Sequence, residues 1–488
     1  MYKHGVYGII ADLPLKQTDL CKSVPVYVGT APVHLANSEN VNRPVLVKNM
    51  AEAINKLGYS DDWDKYTLCE AMKVHFDKAQ IGPVIFINVY DPAKHKGESK
   101  SVKQNLTNEK YEVANAEDCI ISTIKLAAEP SDSKTYEAGK DYKVEYDVVK
   151  KKLIIRAIGE AKLPATANIS YEQAKAETVK TADIIGTTDN AGNNTGLYAV
   201  QDVYQTCEIV PSVLLAPSFS HIKEVKELMS KLSKQLNGHW ELMYYSDIPL
   251  NDGKADITFA TAAKWKDENG YNDDNQKVFY PMWIDESGKK YHLSTLYMAN
   301  KQLIDRESDN VPYQSASNTA VIVPGKLYLG DNNKAVINDT LINDLLNANG
   351  ITSARFIGTA WVLWGTHTAG YGKENASALN LHDTSMQMLH YICNDFQARR
   401  ISDIDKPLER NRSAQIAAEE QARLDALVGA GALSYGKVYF SGYDINDTDL
   451  IQGDFNYKFE ITTYPLIKSL SANINYSPDG LKTIFEEV

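Results

Sequence analysis

Between about Asp91 and Gly196 the chain abandons one hydrophobic pattern and then returns to it. Upstream, Pro83-Val84-Ile85-Phe86-Ile87-Asn88-Val89-Tyr90 is a continuous apolar run, as in a strand covered on both faces. Val24 to Gly29 reads as a second strand, and Asn49 to Leu57 as a helix with Asn49 as N-cap and Gly58 as its stop. Inside the interval, Tyr142, Val144, Tyr146 and Val148 alternate with Lys143, Glu145 and Asp147. After a turn near Lys151, Leu153, Ile155 and Ala157 alternate again, and Ile120, Ser122, Ile124 and Leu126 keep the same period of two. A period of two with polar residues between predicts half-exposed antiparallel strands.

Downstream, βα alternation resumes. Val213 to Ala216 predicts a strand, and Ser220 an N-cap for a helix from His221 to Leu236 with an apolar stripe of Ile222, Val225, Leu228, Met229 and Leu232. Trp240 to Tyr245 reads as a strand, helical stretches follow near 256–266, 293–305 and 339–348, and Ala354 to Leu363 reads as a further buried strand. An antiparallel β module that interrupts such a series is an insertion, so the sheet domain is expected in two sequence pieces.

From Ser377 the pattern changes once more. Met386, Leu389, Cys393 and Phe396 recur at helical spacing. A second helix is predicted over Leu408 to Val428, with Asp405 as a candidate cap, Pro407 in the first turn, an apolar stripe of Ile416, Leu424, Leu427 and Val428, and Gly429 or Gly431 at its end. Three strand-like segments close the chain, around 435–443, 454–464 and 466–476. The predicted fold class is α/β: a discontinuous α/β core sheet domain with an inserted antiparallel β domain and an α+β C-terminal domain with extended terminal arms. The expected divisions are an arm at 1–20, core pieces at 21–96 and 196–370, an insertion at 97–195 and a C-terminal domain at 371–488.

A length of 488 residues suits about three domains and can bury several cores without disulfides. Its 51 basic against 63 acidic residues give a net charge of −12, against the dense basic surface that sequence-independent nucleic-acid binding needs. Five cysteines without a CxxC read as reduced, mostly buried thiols. No apolar stretch reaches the about 18 residues of a membrane span, and the first eight residues carry no signal-peptide core.

Motifs for chemistry are sparse. Every Gly-Lys pair lacks a following Ser or Thr, so there is no P-loop, and the histidines show no paired metal-ligand spacing. The loop Tyr271 to Gln276 is Asn- and Asp-rich but lacks a calcium-loop pattern. Gly365-Thr366-His367-Thr368-Ala369-Gly370 resembles the histidine motif of subtilisin-like proteases, and Asp383-Thr384-Ser385-Met386 faintly resembles their nucleophile motif. Ser385 follows His367 too closely to leave room for the intervening strands, and Asp383 stands where a glycine is needed. The basic cluster Arg399, Arg400, Lys406, Arg410 and Arg412 is balanced by Asp395, Asp403, Asp405 and Glu409, which suits a solvated corner as well as a binding face.

Four stretches in order resemble the tail sheath proteins of contractile bacteriophage tails and related bacteriocins. They are Tyr2-Lys3-His4-Gly5-Val6; Asn42-Arg43-Pro44-Val45-Leu46-Val47-Lys48-Asn49 with the helix after it; and Ala348-Asn349-Gly350-Ile351 followed by Gly358-Thr359-Ala360-Trp361-Val362-Leu363-Trp364-Gly365-Thr366-His367-Thr368. The fourth is the C-terminal layout of two helices, Gly429-Ala430-Gly431-Ala432-Leu433, then strands ending in Ile461-Thr462-Thr463-Tyr464-Pro465-Leu466-Ile467-Lys468-Ser469-Leu470. The insertion lies outside the resemblance, as the variable outer domain of a sheath does.

The resemblance implies a structural subunit, not an enzyme, without metal or cofactor. Such subunits stack as rings, hexameric by resemblance, around an inner tail tube. They contact baseplate and tail terminator proteins, and contract from a metastable extended state. They neither bind nucleic acid nor insert into a membrane, and they act in a virion tail or tail-like particle assembled in the bacterial cytoplasm. Extended apolar segments need partners for their backbone groups, and adding a strand to a neighbour's sheet supplies them. Candidate exchange residues are His4, Val6, Tyr7, Phe455, Tyr457, Phe459, Ile461, Tyr464 and Ile467; Arg399, Arg400, Arg410 and Arg412 are candidates to face the tube. A subtilisin-like serine hydrolase and a cell-surface binding module built on the insertion are the alternatives.

Overall fold

The computed structural model describes residues 22–36, 40–128, 136–331, 337–372, 382–407, 409–440, 452–478 and 480–481, with Arg410 described by its backbone only. Two compact units divide between Asp405 and Lys406.

An eight-stranded mixed sheet organises the first unit. Its order is Ala360–Trp364, Ile351–Ile357, Gln276–Phe279, Met243–Asp247, Val213–Leu215, Pro25–Gly29, Val84–Asn88 and Pro44–Val47. The inner strands run parallel and both edge strands are antiparallel. Strands from before and after the insertion lie side by side, because Pro25–Gly29 pairs with Val213–Leu215.

The period of two sorts the inner strands between two cores. Tyr27, Phe86, Leu215, Tyr245 and Phe279 pack into one core with the helix Leu293–Glu307. Val26, Val28, Ile85, Ile87, Leu214 and Tyr244 pack into the other with the helix Lys223–Lys234. Both faces are covered, which is why these strands read as unbroken apolar runs.

The helix Met50–Leu57 follows its predicted caps. Asn49 Oδ1 accepts from the Glu52 N–H at 3.0 Å, and Gly58 leaves the helix at φ +74°, where a Cβ would meet the Pro32 carbonyl oxygen at 2.2 Å.

The segment from about 96 to 174 forms two three-stranded antiparallel sheets: Lys96–Asn105, Thr166–Ala174 and Lys125–Ala127, then Lys110–Ala114, Lys152–Ala157 and Tyr142–Asp147. They enclose their own core of Tyr111, Val113, Leu126, Tyr142, Leu153, Ile155, Ile169 and Tyr171. His34 and Glu117 meet across the seam with the sheet domain, the ring Nε2 lying 2.9 Å from the Glu117 carbonyl oxygen.

Several local expectations change. Ser220 does not cap its helix; its Oγ accepts the Asp247 N–H at 3.1 Å, and the helix begins at Lys223 behind a turn whose Ser218 has φ +67°. The predicted strand Ala354 to Leu363 is a hairpin, Ile351–Ile357 with Ala360–Trp364, because Gly358 turns at φ +63°. Ile121–Thr123 is one 3-10 turn, so only Lys125–Ala127 of that alternation is strand. The strand predicted at Trp240 starts at Met243.

The sequence places the C-terminal domain from 371. Instead, the helix Asp383–Arg400 buries Asp383, Met386, Met388, Tyr391 and Ile392 within the first unit, where Asn394 Nδ2 donates to the Glu241 carbonyl at 2.6 Å. Leu389 and Cys393, which share helical spacing with Met386, lie on its exposed side, since polar Gln387 and Asn394 are taken inward by partners.

In the second unit the helix Arg410–Gly429 packs on a two-stranded antiparallel sheet, Tyr435–Tyr439 with Lys458–Thr462. Ile416, Leu424, Leu427, Leu433 and Val438 are buried. Glu409 takes the N-cap position, whereas Asp405 sits at φ +63°. The third expected strand, 466–476, is not a strand: 463–476 carries no regular structure and leaves Tyr464, Ile467, Leu470, Ile474 and Tyr476 exposed, with Leu466 half-buried.

Candidate assembly surfaces

The longest quoted motif builds a pinned hairpin at one edge of the sheet. Asn347 Nδ2 donates to the carbonyls of Ile351 at 2.9 Å and Trp364 at 3.1 Å, which clamps the base of both strands. Gly350 turns into the first strand at φ +68°, with the Thr368 carbonyl 2.5 Å from where a Cβ would stand. Trp364 Nε1 donates to Asn343 Oδ1 at 2.8 Å, and Trp361 meets the Trp283 ring edge-on. The glycines and tryptophans of the motif are therefore structural. Its tip leaves Phe356 and Ile357 exposed.

The protease-like pair does not assemble into a relay. Ser385 lies in the first turn of a helix, and Asp383 is spent elsewhere in the core. Lys277 Nζ meets Asp383 Oδ2 at 2.9 Å, and Tyr297 donates its hydroxyl to the same oxygen at 2.6 Å. Lys277 also donates to the carbonyls of Gly365 and His367. Lys301 bonds Asp305, which accepts the Ser23 hydroxyl at 2.6 Å. Burial lowers the Lys277 pKa against the pull of Asp383, and burial raises that of Asp305 against Lys301. No sequence signal separates Lys277 from surface lysines, because Asp383 is distant in the chain, and the i,i+4 spacing of Lys301 and Asp305 is equally common on exposed helix faces.

The arginine candidates are held by near neighbours. Arg399 pairs with Asp395 at 2.9 Å, Arg400 with Asp403 at 3.4 Å and Arg412 with Glu419 at 3.2 Å. The side chain of Arg410 lies outside the described residues. Arg399 and Arg400 belong to the first unit and Arg412 to the second. Among the described residues no group of three or more His, Cys, Asp or Glu is arranged to hold a metal, and no helix is long and apolar enough to cross a membrane. In the Asn- and Asp-rich loop, Asp273 instead accepts the Ser230 hydroxyl at 2.6 Å.

Of the exchange candidates, His4, Val6 and Tyr7 lie outside the described residues. Phe455, Tyr457, Phe459 and Ile461 are half-buried within the second unit; Tyr457 stacks on Phe440, Phe459 is paired with Val438, and Ile461 with Gly436. Gln421 takes up the other edge of Tyr435–Tyr439, donating to the Gly436 carbonyl and accepting the Val438 N–H. Tyr464 and Ile467 are exposed, as are Leu470, Ile474 and Tyr476 beyond them.

No known family profile matches the chain. A tail sheath protein of Burkholderia phage BcepMu is 24% identical, an alignment covering 99% of this chain and 98% of the relative. Over essentially its whole length, then, the chain is similar to a phage tail sheath protein. Solved structures agree in fold. A chain from the contracted baseplate of the anti-feeding prophage matches with a TM-score of 0.57 at 11% identity, over 98% of this chain and 99% of that one. A sheath chain of an extracellular contractile injection system, PVC, in its contracted state matches with a TM-score of 0.54 at 11% identity, over 98% and 100%. At this identity the likeness to the solved structures is one of fold: a large mixed sheet with small antiparallel sheets around it.

Proposed function

We propose that this chain is the structural subunit of a contractile sheath. It polymerises as a helical tube, hexameric in each ring, around an inner tail tube, and contracts from a metastable extended state to drive that tube through a cell envelope. The observation that carries this reading is the match to a phage tail sheath protein over essentially the whole of both chains. Energy stored at assembly is a kinetic property of the lattice, so no catalytic step belongs to the role. The inner tube, baseplate and terminator are its protein partners, in a virion tail or tail-like particle assembled in the bacterial cytoplasm.

The exposed apolar segment from Tyr464 to Tyr476 supports a linking role, since a solitary extended segment cannot satisfy its own backbone or cover its side chains. Given to a neighbour while another is accepted, it makes a head-to-tail contact that repeats into an open helix. The N-terminal arm, with His4, Val6 and Tyr7, is its proposed counterpart, and Arg399, Arg400, Arg410 and Arg412 are proposed to face the tube. The test is negative-stain electron microscopy of the purified chain, alone and co-expressed with its neighbouring tail genes. Hollow tubes or stacked rings are expected, and discrete monomers under both conditions would overturn the reading. Deleting Met1 to Gly8 should abolish tubes and leave a folded monomer.

A further inference from the structure

The parallel strands reverse their order of addition beside Pro25–Gly29, with Val84–Asn88 on one side and Val213–Leu215 on the other. In open α/β sheets the crevice past the carboxyl ends of the strands at such a point is where ligands and reactive groups gather. Past that end here stand Ser218, His292, Glu70 and Asp247, none of which the sequence motifs single out.

Ser218 follows the strand Val213–Leu215 on a tight turn and holds φ +67°, an uncommon conformation for a residue with a Cβ. Its Oγ lies 3.5 Å from His292 Nε2, and its backbone N–H donates to the same nitrogen at 3.2 Å. On the ring's other side, Nδ1 donates to Glu70 Oε2 at 2.6 Å, while Glu70 Oε1 accepts the His292 backbone N–H at 2.7 Å. The carboxylate thus fixes ring and tautomer and makes Nε2 the acceptor; its lone pair takes the Ser218 backbone N–H, and a small rotation of ring or hydroxyl is needed for it to receive the proton of Oγ. Ser218 and His292 are half-buried and Glu70 is buried. Strand, strained serine, imidazole and buried carboxylate form the arrangement that activates a hydroxyl nucleophile.

We propose that Ser218 is an activated nucleophile, with His292 as its base and Glu70 as the group that orients the base, and that it captures small activated acyl or phosphonyl groups. In reaction with a fluorophosphonate, the Ser218 hydroxyl proton passes to His292 Nε2 and Oγ bonds to phosphorus. The P–F bond breaks, fluoride leaves, and His292 then releases the proton to solvent. The N–H groups of Phe219 and Ser220, which would stabilise an oxyanion, both donate to the Ala216 carbonyl instead, at 3.0 and 2.8 Å. With these donors engaged, attack and turnover are both slow; the phosphonate ester, once formed, is stable to hydrolysis and accumulates, so the proposal adds a modification site and stands independently of the sheath reading.

Proton uptake by His292 sets the pH profile. Burial lowers its pKa, but the charge and hydrogen bond of Glu70, with the charges of Asp247 and Asp64, raise it to about 9. His221, in the turn before the helix Lys223–Lys234, is the other titratable group close by.

The full-length chain is incubated with a fluorophosphonate probe from pH 6 to 10, and the adduct is located by peptide mass spectrometry. Labelling is expected at Ser218, rising with pH to a plateau above about 9. Ser218→Gly, which suits the positive φ, should fold and lose the label. Ser385→Ala should label as wild type. His292→Gln should slow labelling at least about 100-fold, the lower range for general base catalysis. An unlabelled protein across the pH range, an adduct at another residue, or an equal rate in His292→Gln would each overturn the proposal.

Discussion

Lys277 and Asp383 meet at 2.9 Å with neither side chain exposed to solvent. The lysine lies on the strand Gln276–Phe279 and the aspartate opens the helix Asp383–Arg400, so the pair ties that helix to the sheet. Removing one partner strands the other charge in the core, which costs about 3–5 kcal/mol. Asp383→Asn should therefore lower the unfolding free energy by that order in urea titration. Replacing both residues by Leu should cost less than the single change, and the two-residue comparison separates an unpaired charge from lost packing.

Asn347 holds both strands of the edge hairpin through one side-chain amide. Asn347→Ala leaves the Ile351 and Trp364 carbonyls without that donor, a loss of about 1–3 kcal/mol. Tryptophan fluorescence should report it, because Trp361 and Trp364 lie on the released strand. An unfolding midpoint unchanged from wild type would show that the clamp contributes nothing.

The Glu70–His292 pair makes stability depend on pH. The folded-state pKa of His292 is about 9 against 6.5 for the free side chain, so its contribution is complete below about 6.5 and is lost as pH rises through about 9. At about 1.4 kcal/mol per pH unit this amounts to up to about 3 kcal/mol. The stability gap between wild type and His292→Gln should narrow between pH 6 and 10, as read from urea midpoints.

Ile467 and Leu470 are 77% and 85% exposed. Changing both to Asp should leave the monomer within about 0.5 kcal/mol of wild type, since neither is packed in it. Assembly into tubes should be lost, as followed by electron microscopy and sedimentation. Tubes of normal length would remove this segment from the linking role.

Arg399 and Asp395 form a partly buried ion pair at i,i+4 spacing on one helix, a spacing that contributes about 0.3–0.5 kcal/mol. Arg399→Ala should therefore spare folding and weaken binding to the inner tube, with a salt dependence shallower than wild type. Pull-down on isolated tubes at two ionic strengths checks this, and unchanged binding would take Arg399 off the tube-facing surface.

Local chemistry was legible where one residue decides one conformation. Asn49 capping the helix Met50–Leu57, the alternation of Tyr142–Asp147 against Lys152–Ala157 and the apolar runs of Pro25–Gly29 and Val84–Asn88 each follow from propensity and period. Leu389 and Cys393 recur at helical spacing with Met386 yet lie exposed, because helical spacing identifies a face without saying what covers it. Ser220 offered a good cap by type, yet the neighbouring strand claimed its hydroxyl through Asp247.

The sequence by itself determined the βα series, the inserted antiparallel module and the ordered motifs of a sheath, because these depend on residues close together in the chain. The tertiary structure decided which charges are buried and what they meet: Lys277 with Asp383, and Ser218 with a histidine that Glu70 holds from 222 positions away. Periodicity records which way a side chain points. The partner it reaches is set by how distant elements pack, and a buried charge is stable only where that packing supplies its counterpart.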